Sequence, residues 1–173
     1  VDDLDSGSHH RFFFQGVQMG TGQHWYVPIV VAKGKRKGKC IALVSGVHGD
    51  ELSSINAVQR VMATLAPEQM SGSVIAILGL SRAAIEFTQA QWPMAYGGGA
   101  AVDINRVWPG DEQGENPPSR HASLLWQHLY RPNLDLAIDF HTVSTGSDFT
   151  LIIYADLSKP EIREMVQLFP VEQ

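Results

Sequence analysis

The sequence predicts an α/β fold, with helices layered on a mixed β-sheet, and three observations carry that prediction. Apolar runs of strand length recur along the chain, a stretch with helical periodicity separates two of them, and glycines, prolines and charged residues mark their ends. The 173 residues fit one domain, and a mixture that is 44% hydrophobic and 18% charged can bury a sizeable core.

The first part reads as strands: "RFFFQGVQ" from Arg11, "WYVPIVVAKG" from Trp25 and "KCIALVSGV" from Lys39. Pro28 cannot donate to a ladder, which marks the second of these as an edge strand. After Glu51 the period changes. Leu52, Ile55, Val58, Val61, Met62 and Leu65 fall at steps of three and four, predicting an amphipathic helix that stops before Pro67. "GSVIAILGL" from Gly72 is almost wholly apolar, as a strand buried on both faces is, and strand, helix, strand implies a parallel pair.

Ser81 to Gln91 reads as a short helix, and the glycines and prolines of the loop "WPMAYGGGAAVDINRVWPGDEQGENPPS" exclude regular structure over most of its length. A helix then runs from about Ser119 to Tyr130 with Ser119 as N-cap. "LDLAIDFHT" reads as another buried strand and "DFTLIIYADL" as one more, and "KPEIREMVQLF" starts a last helix with Pro160 near its first turn. No internal repeat or low-complexity segment interrupts the pattern.

A net charge of -5 gives no footprint for nucleic acid. The one basic run, "KGKRKGK" (Lys33 to Lys39), reads as a solvated hairpin loop. It is no phosphate loop, because Gly34 and Gly38 are too close and Cys40 stands where Ser or Thr belongs. A single cysteine, Cys40, excludes an internal disulfide, and no apolar run reaches the roughly 20 residues that cross a bilayer. The start, "VDDLDSGSHH", is acidic and polar, unlike a secretory leader, so the expectation is a cytoplasmic protein with no membrane partner. His9 and His10 receive no role.

Ligands of open α/β sheets gather at the carboxyl ends of the strands. His48 follows one apolar strand, His141 ends another, and Glu51 stands one helical turn after His48. Two imidazoles and a carboxylate suit catalytic zinc, which commonly takes His, His and Glu and keeps a fourth position for water. Gly46 and Gly49 allow the sharp backbone turn that lets His48 and Glu51 face one ion. His24, His121 and His128 read as surface or helix-face residues. Ser81 in "GLSRA" lacks the second glycine of a nucleophile elbow, and Cys40 reads as a small core residue.

"GVHGDE" (Gly46 to Glu51), "DINRVWPG" (Asp103 to Gly110) and "DFHT" (Asp139 to Thr142), in that order, resemble the succinylglutamate desuccinylase and aspartoacylase family, relatives of the zinc carboxypeptidases. The resemblance implies a three-layer α/β/α fold with a mixed, mostly parallel sheet. It implies that His48, Glu51 and His141 hold one zinc ion per chain and that Asn105 and Arg106 bind a substrate carboxylate, for which the planar guanidinium fork is well shaped. It also implies that Asp103 bonds the first zinc histidine and fixes its tautomer; Asp139, two residues before His141 on the same strand face, can serve likewise.

Two features depart from the family pattern. The segment that usually reads N-P-x-A, with a following arginine that polarises the scissile carbonyl, is here "SRAAIEFTQAQWPMAYGGG", with Ser81 and Arg82 in place of Asn and Pro. Arg82 could substitute only from a different position. The general-base glutamate of the family lies on a late strand and is expected beyond Gln173, Glu172 being a poor candidate, so the chain reads as one hydrolase domain, residues 1–173, lacking its C-terminal part. The reading is a zinc-dependent amide hydrolase acting on a small N-acyl amino acid or a peptide C-terminus, most simply a deacylase. The alternatives are a metallocarboxypeptidase acting on peptides and a non-catalytic domain that binds zinc or carboxylates.

Overall fold

The computed structural model describes residues 1–143 and 150–170 of the chain. Five strands form one sheet in the order β1-β2-β4-β3-β5: β1 (Ser8–Gln18), β2 (His24–Lys33), β3 (Arg36–Ser45), β4 (Ser71–Leu78) and β5 (Leu136–Phe140). The β1/β2 and β2/β4 pairs are antiparallel, and β4/β3 and β3/β5 are parallel. The sheet is therefore mixed, with its parallel half carrying the two histidine-bearing strand ends.

Helix α1 (Leu52–Thr64) covers one face, where Val58 and Met62 pack on Ala32, Leu43 and Ala76. Each such buried side chain contributes about 1.5–3 kcal/mol. On the other face lie the short α2 (Arg82–Glu86) and α3 (Pro117–Leu125), which continues through a π-helical turn, Trp126–Tyr130, into α4 (Arg131–Asn133). Ala122, Leu125 and Leu129 meet Val27, Ile29, Ile75 and Ile77 there. Helix, sheet, helix gives three layers, as expected, and α5 (Pro160–Val166) follows Lys159 with Pro160 in its first turn. Among the described residues no helix is long and apolar enough to cross a membrane.

Several local expectations are corrected. β2 is an inner strand despite Pro28, because the β4 ladder begins only at Ile29, one residue past the proline. The basic run is exposed from Lys35 to Lys39, as read, but is no hairpin: β4 lies between β2 and β3, and Gly34 N–H donates to Gly72 O at 2.8 Å. Asn116, not Ser119, caps α3, its side chain accepting from Ser119 N–H, while Pro117 supplies a φ already suited to a first turn. β5 is half-exposed instead of buried on both faces, since it lies at the sheet edge among the described residues. Residues 150–155 form no strand, and Leu151, Ile152 and Tyr154 are exposed, with no described strand beside them. Asp148 and Phe149 of that expected strand, and Glu172, lie outside the described residues.

Candidate metal centre

The turn after β3 builds half of the site. Gly46 adopts φ 66°, in the left-handed region, which a side chain would disfavour. Its carbonyl accepts from Ser81 N–H at 2.8 Å, and Ser45 O accepts from Gly79 and Leu80 at 3.1 Å. Gly49 lies against the backbone of α2, where any Cβ would overlap Ala84 and Ile85, and its N–H donates to Gln89 O at 3.1 Å. The two glycines thus serve both the sharp turn and its close docking on the segment after β4. Buried Ser54, which sequence reasoning did not single out, fastens the other side: its hydroxyl donates to Glu51 O at 2.7 Å and accepts from Gly46 N–H at 3.4 Å.

Glu51 occupies the N-cap position of α1 but makes no side-chain capping bond. Its buried carboxylate turns inward instead, with Oε1 2.9 Å from His48 Nδ1 and Oε2 2.9 Å from His141 Nδ1. Thr142 N–H also donates to Oε2, at 3.0 Å. The outer ring nitrogens face carboxylates: His48 Nε2 donates to Asp103 Oδ1 at 3.2 Å and His141 Nε2 to Asp139 Oδ2 at 2.8 Å. The structure therefore brings together all five residues read as ligands and their partners. His48, Glu51 and His141 each offer one ligand atom, and these atoms all lie within 4.8 Å of one another.

The donor set makes an electrostatic demand. If each imidazole donates through Nε2 to its aspartate, both Nδ1 lone pairs point at a carboxylate that carries only lone pairs itself. Such a convergence of acceptors needs either a proton on each ring or a cation among them. The hydrogen bond from His141 to Asp139 holds the His141 imidazolium above the ordinary histidine range; partial burial opposes this, and the Asp139 and Glu51 charges add to it. Two imidazole nitrogens and a carboxylate oxygen, with outer nitrogens tied to carboxylates, form a set that fits zinc.

Asp103 also caps the 3₁₀ turn Ile104–Arg106, accepting from Asn105 N–H at 2.8 Å through the same Oδ1 that meets His48. Arg106 is 75% exposed, with Nε 4.0 Å from Asp103 Oδ2 and Nη1 donating to Asn105 O at 3.2 Å. Its remaining donors face no described carboxylate. Asn105 and Asp139 line a cavity of about 470 Å³ walled by Trp108, Trp126 and Tyr130. Burial, together with the charge of Asp139, pushes the Tyr130 hydroxyl far above its usual pKa, so it stays protonated.

Other residues fall elsewhere. Arg82 is on the outer side of α2, its Nε 2.9 Å from Glu86 Oε1. Ser81 is buried and accepts a hydrogen bond from Trp92, in keeping with its rejection as a nucleophile. Cys40 is a buried thiol whose pKa burial pushes up to about 11. His24 leans on Gly16 O at 2.7 Å and His128 is exposed, while His121 is on a helix face, that of α3, and is fully buried. Its Nδ1 accepts from Val17 N–H and its Nε2 donates to Leu80 O, both at 3.2 Å, and burial lowers its pKa to about 4.

The layers and sheet are those of the carboxypeptidase fold: carboxypeptidase A from Helicoverpa armigera superposes with a TM-score of 0.54 over 78% of this chain and 41% of its own, at 12% identity. More narrowly, residues 37–171 match the succinylglutamate desuccinylase/aspartoacylase catalytic domain, and the chain belongs to that family. It is 28% identical over 129 residues, 75% of this chain and 35% of the relative, to N-alpha-acetyl-L-2,4-diaminobutyric acid deacetylase of Halomonas elongata. The structure of a succinylglutamate desuccinylase/aspartoacylase from Rhodobacter sphaeroides is 28% identical with a TM-score of 0.65, covering 81% of this chain and 41% of that one. A succinylglutamate desuccinylase from Silicibacter sp. TM1040 is 26% identical with a TM-score of 0.66, over 81% and 40%. The chain thus spans between about a third and two-fifths of the length of these relatives.

Proposed function

We propose that this chain carries the metal centre of a zinc-dependent deacylase that hydrolyses the amide bond of small N-acyl amino acids. The observation that carries the reading is the convergence of His48 Nδ1, His141 Nδ1 and the Glu51 carboxylate, with both Nε2 atoms already engaged by Asp103 and Asp139. His48, Glu51 and His141 would hold the zinc ion, which would supply Lewis-acid polarisation of the scissile carbonyl and lower the pKa of water to about 7.

The chain's own residues do the rest. Asp103 and Asp139 keep the proton of each imidazole on Nε2, so that Nδ1 presents a lone pair. Arg106 and Asn105 hold the substrate carboxylate, Arg106 through two parallel N–H groups, which fixes the acyl amide relative to the centre. The family membership and the deacetylase of Halomonas elongata support a small acylated amino acid as substrate. A cytoplasmic location belongs to this reading and agrees with one buried thiol and no disulfide.

The test is release of free amino acid from a panel of N-acetyl and N-succinyl amino acids, with C-terminal peptides beside them, by the zinc-loaded protein in its full natural length. Turnover of the N-acyl amino acids that stops in His48→Ala supports the proposal. Turnover of the peptides alone would overturn it in favour of a carboxypeptidase.

A further inference from the structure

Trp92 is fully buried and bonded on two sides. Its indole N–H donates to Ser81 Oγ at 2.7 Å, both groups being buried. Ser81 in turn gives its backbone N–H to Gly46 O at 2.8 Å, the carbonyl at the head of the turn that carries His48. Through its main chain Trp92 exchanges two hydrogen bonds with Val102, at 2.9 and 3.2 Å. Val102 immediately precedes Asp103, the residue that meets His48 Nε2. The Trp92 ring is wedged between Trp25 and His121, with centroids 6.2 and 5.3 Å away.

One residue therefore connects both arms that fix His48: its indole reaches the glycine turn that aims the ring, and its main chain holds the segment that leads into Asp103. Neither arm is anchored by regular sheet hydrogen bonds, since residues 79–81 and 87–103 lie outside the five strands. We propose that Trp92, acting through Ser81, is a positioning residue for the metal centre, holding His48 Nδ1 where it converges with Glu51 and His141. This rests on the zinc reading above.

The physical expectation follows from the geometry of a ligand that is not itself rigid. Loss of the indole N–H frees Ser81 and lets the turn at Gly46 shift, and outer partners of metal ligands typically change affinity by about 10- to 100-fold when removed. Trp92→Phe keeps most of the ring and removes the donor; Ser81→Ala removes the acceptor and one oxygen only.

Two measurements on each variant decide the matter: zinc affinity by competition with a chromogenic chelator, and amide hydrogen exchange in the metal-free protein. Zinc binding is expected to weaken about tenfold in either variant and no further in the double variant, because both break one bond. Exchange at Ser81 and Gly49 should quicken while that of Ala42 and Ile75 in the sheet does not. Ile29→Ala, in the same core, should lower the melting temperature and leave zinc affinity alone. Variants that melt earlier but bind zinc as tightly as the natural chain, with unchanged exchange at Ser81 and Gly49, would show Trp92 to be core filling and overturn the proposal. If Trp92→Phe does not fold, Ser81→Ala carries both measurements. If the natural chain itself binds no zinc, the zinc reading fails, and the exchange data still decide whether Trp92 holds the turn.

Discussion

Asp103 meets His48 through a single oxygen, Oδ1, which lies 3.2 Å from His48 Nε2 while also accepting from Asn105 N–H at 2.8 Å. The same atom therefore fixes the His48 tautomer and closes the turn that carries Asn105 and Arg106. Asp103→Asn would put an amide where the carboxylate is and weaken its hold on the Nε2 proton. Zinc affinity should fall about tenfold or more, and Asp139→Asn should do the same through His141. Chelator competition checks this; unchanged affinity in both variants would mean that neither aspartate orients a ligand.

The role proposed for Arg106 separates binding of substrate from binding of metal. Its guanidinium is mostly exposed and, among the described residues, meets only Asp103 and the Asn105 carbonyl, so Arg106→Ala should leave zinc content and fold intact. The KM for carboxylate-bearing substrates should rise by one to two orders of magnitude, since charge-assisted bonds contribute about 1.5–3 kcal/mol. Arg106→Lys should recover only part of this, because a point charge cannot match both carboxylate oxygens. Steady-state kinetics on the panel above gives the answer.

The convergence of His48, Glu51 and His141 was more legible in the sequence than the sheet around it. His48, Glu51 and His141 announce themselves because apolar runs end beside them, and a strand end is where a parallel pair opens to ligand. The order of the strands depends on β4 inserting between β2 and β3, a contact with no local signal in "KGKRKGK". Pro117 and Pro118 read as breakers, yet with Asn116 they start α3, since a first helical turn needs no N–H from proline. The burial of His121 could not be read at all: its partners Val17 and Leu80 are 104 and 41 residues away. Trp92 and Ser81 carried a weak signal, a serine and a tryptophan flanking a short helix, which only the fold turns into a bond.

His121 should make stability depend on acid. Its folded pKa is lowered to about 4 by burial, against an ordinary value of 6.5. Above pH 6.5 both states are neutral and the group contributes no pH dependence. As pH falls from 6.5 towards 4 the unfolded chain takes up a proton that the folded chain refuses, so stability is lost over that window. The loss is on the order of 3 kcal/mol by pH 4, and denaturant titrations from pH 7 to 4 measure it. A His121→Gln variant that still folds should flatten this part of the curve; an equally steep loss would assign the acid sensitivity to other groups.

Gly49 is required by contact with its neighbours. A Cβ there would overlap the backbone of Ala84 and Ile85, atoms that cannot rotate away. Gly49→Ala should destabilise the fold by about 1–3 kcal/mol or push α2 off the turn, with zinc affinity falling as His48 and Glu51 part. Urea unfolding of the metal-free protein, run beside zinc titration, reads both effects.

Zinc stoichiometry tests the central claim most directly. The protein purified without chelators and equilibrated with zinc should hold one ion per chain, and His48→Ala, Glu51→Ala and His141→Ala should each lose it while keeping the far-ultraviolet spectrum of the natural chain. A natural chain that takes up no zinc, or three variants that retain it, would contradict the account.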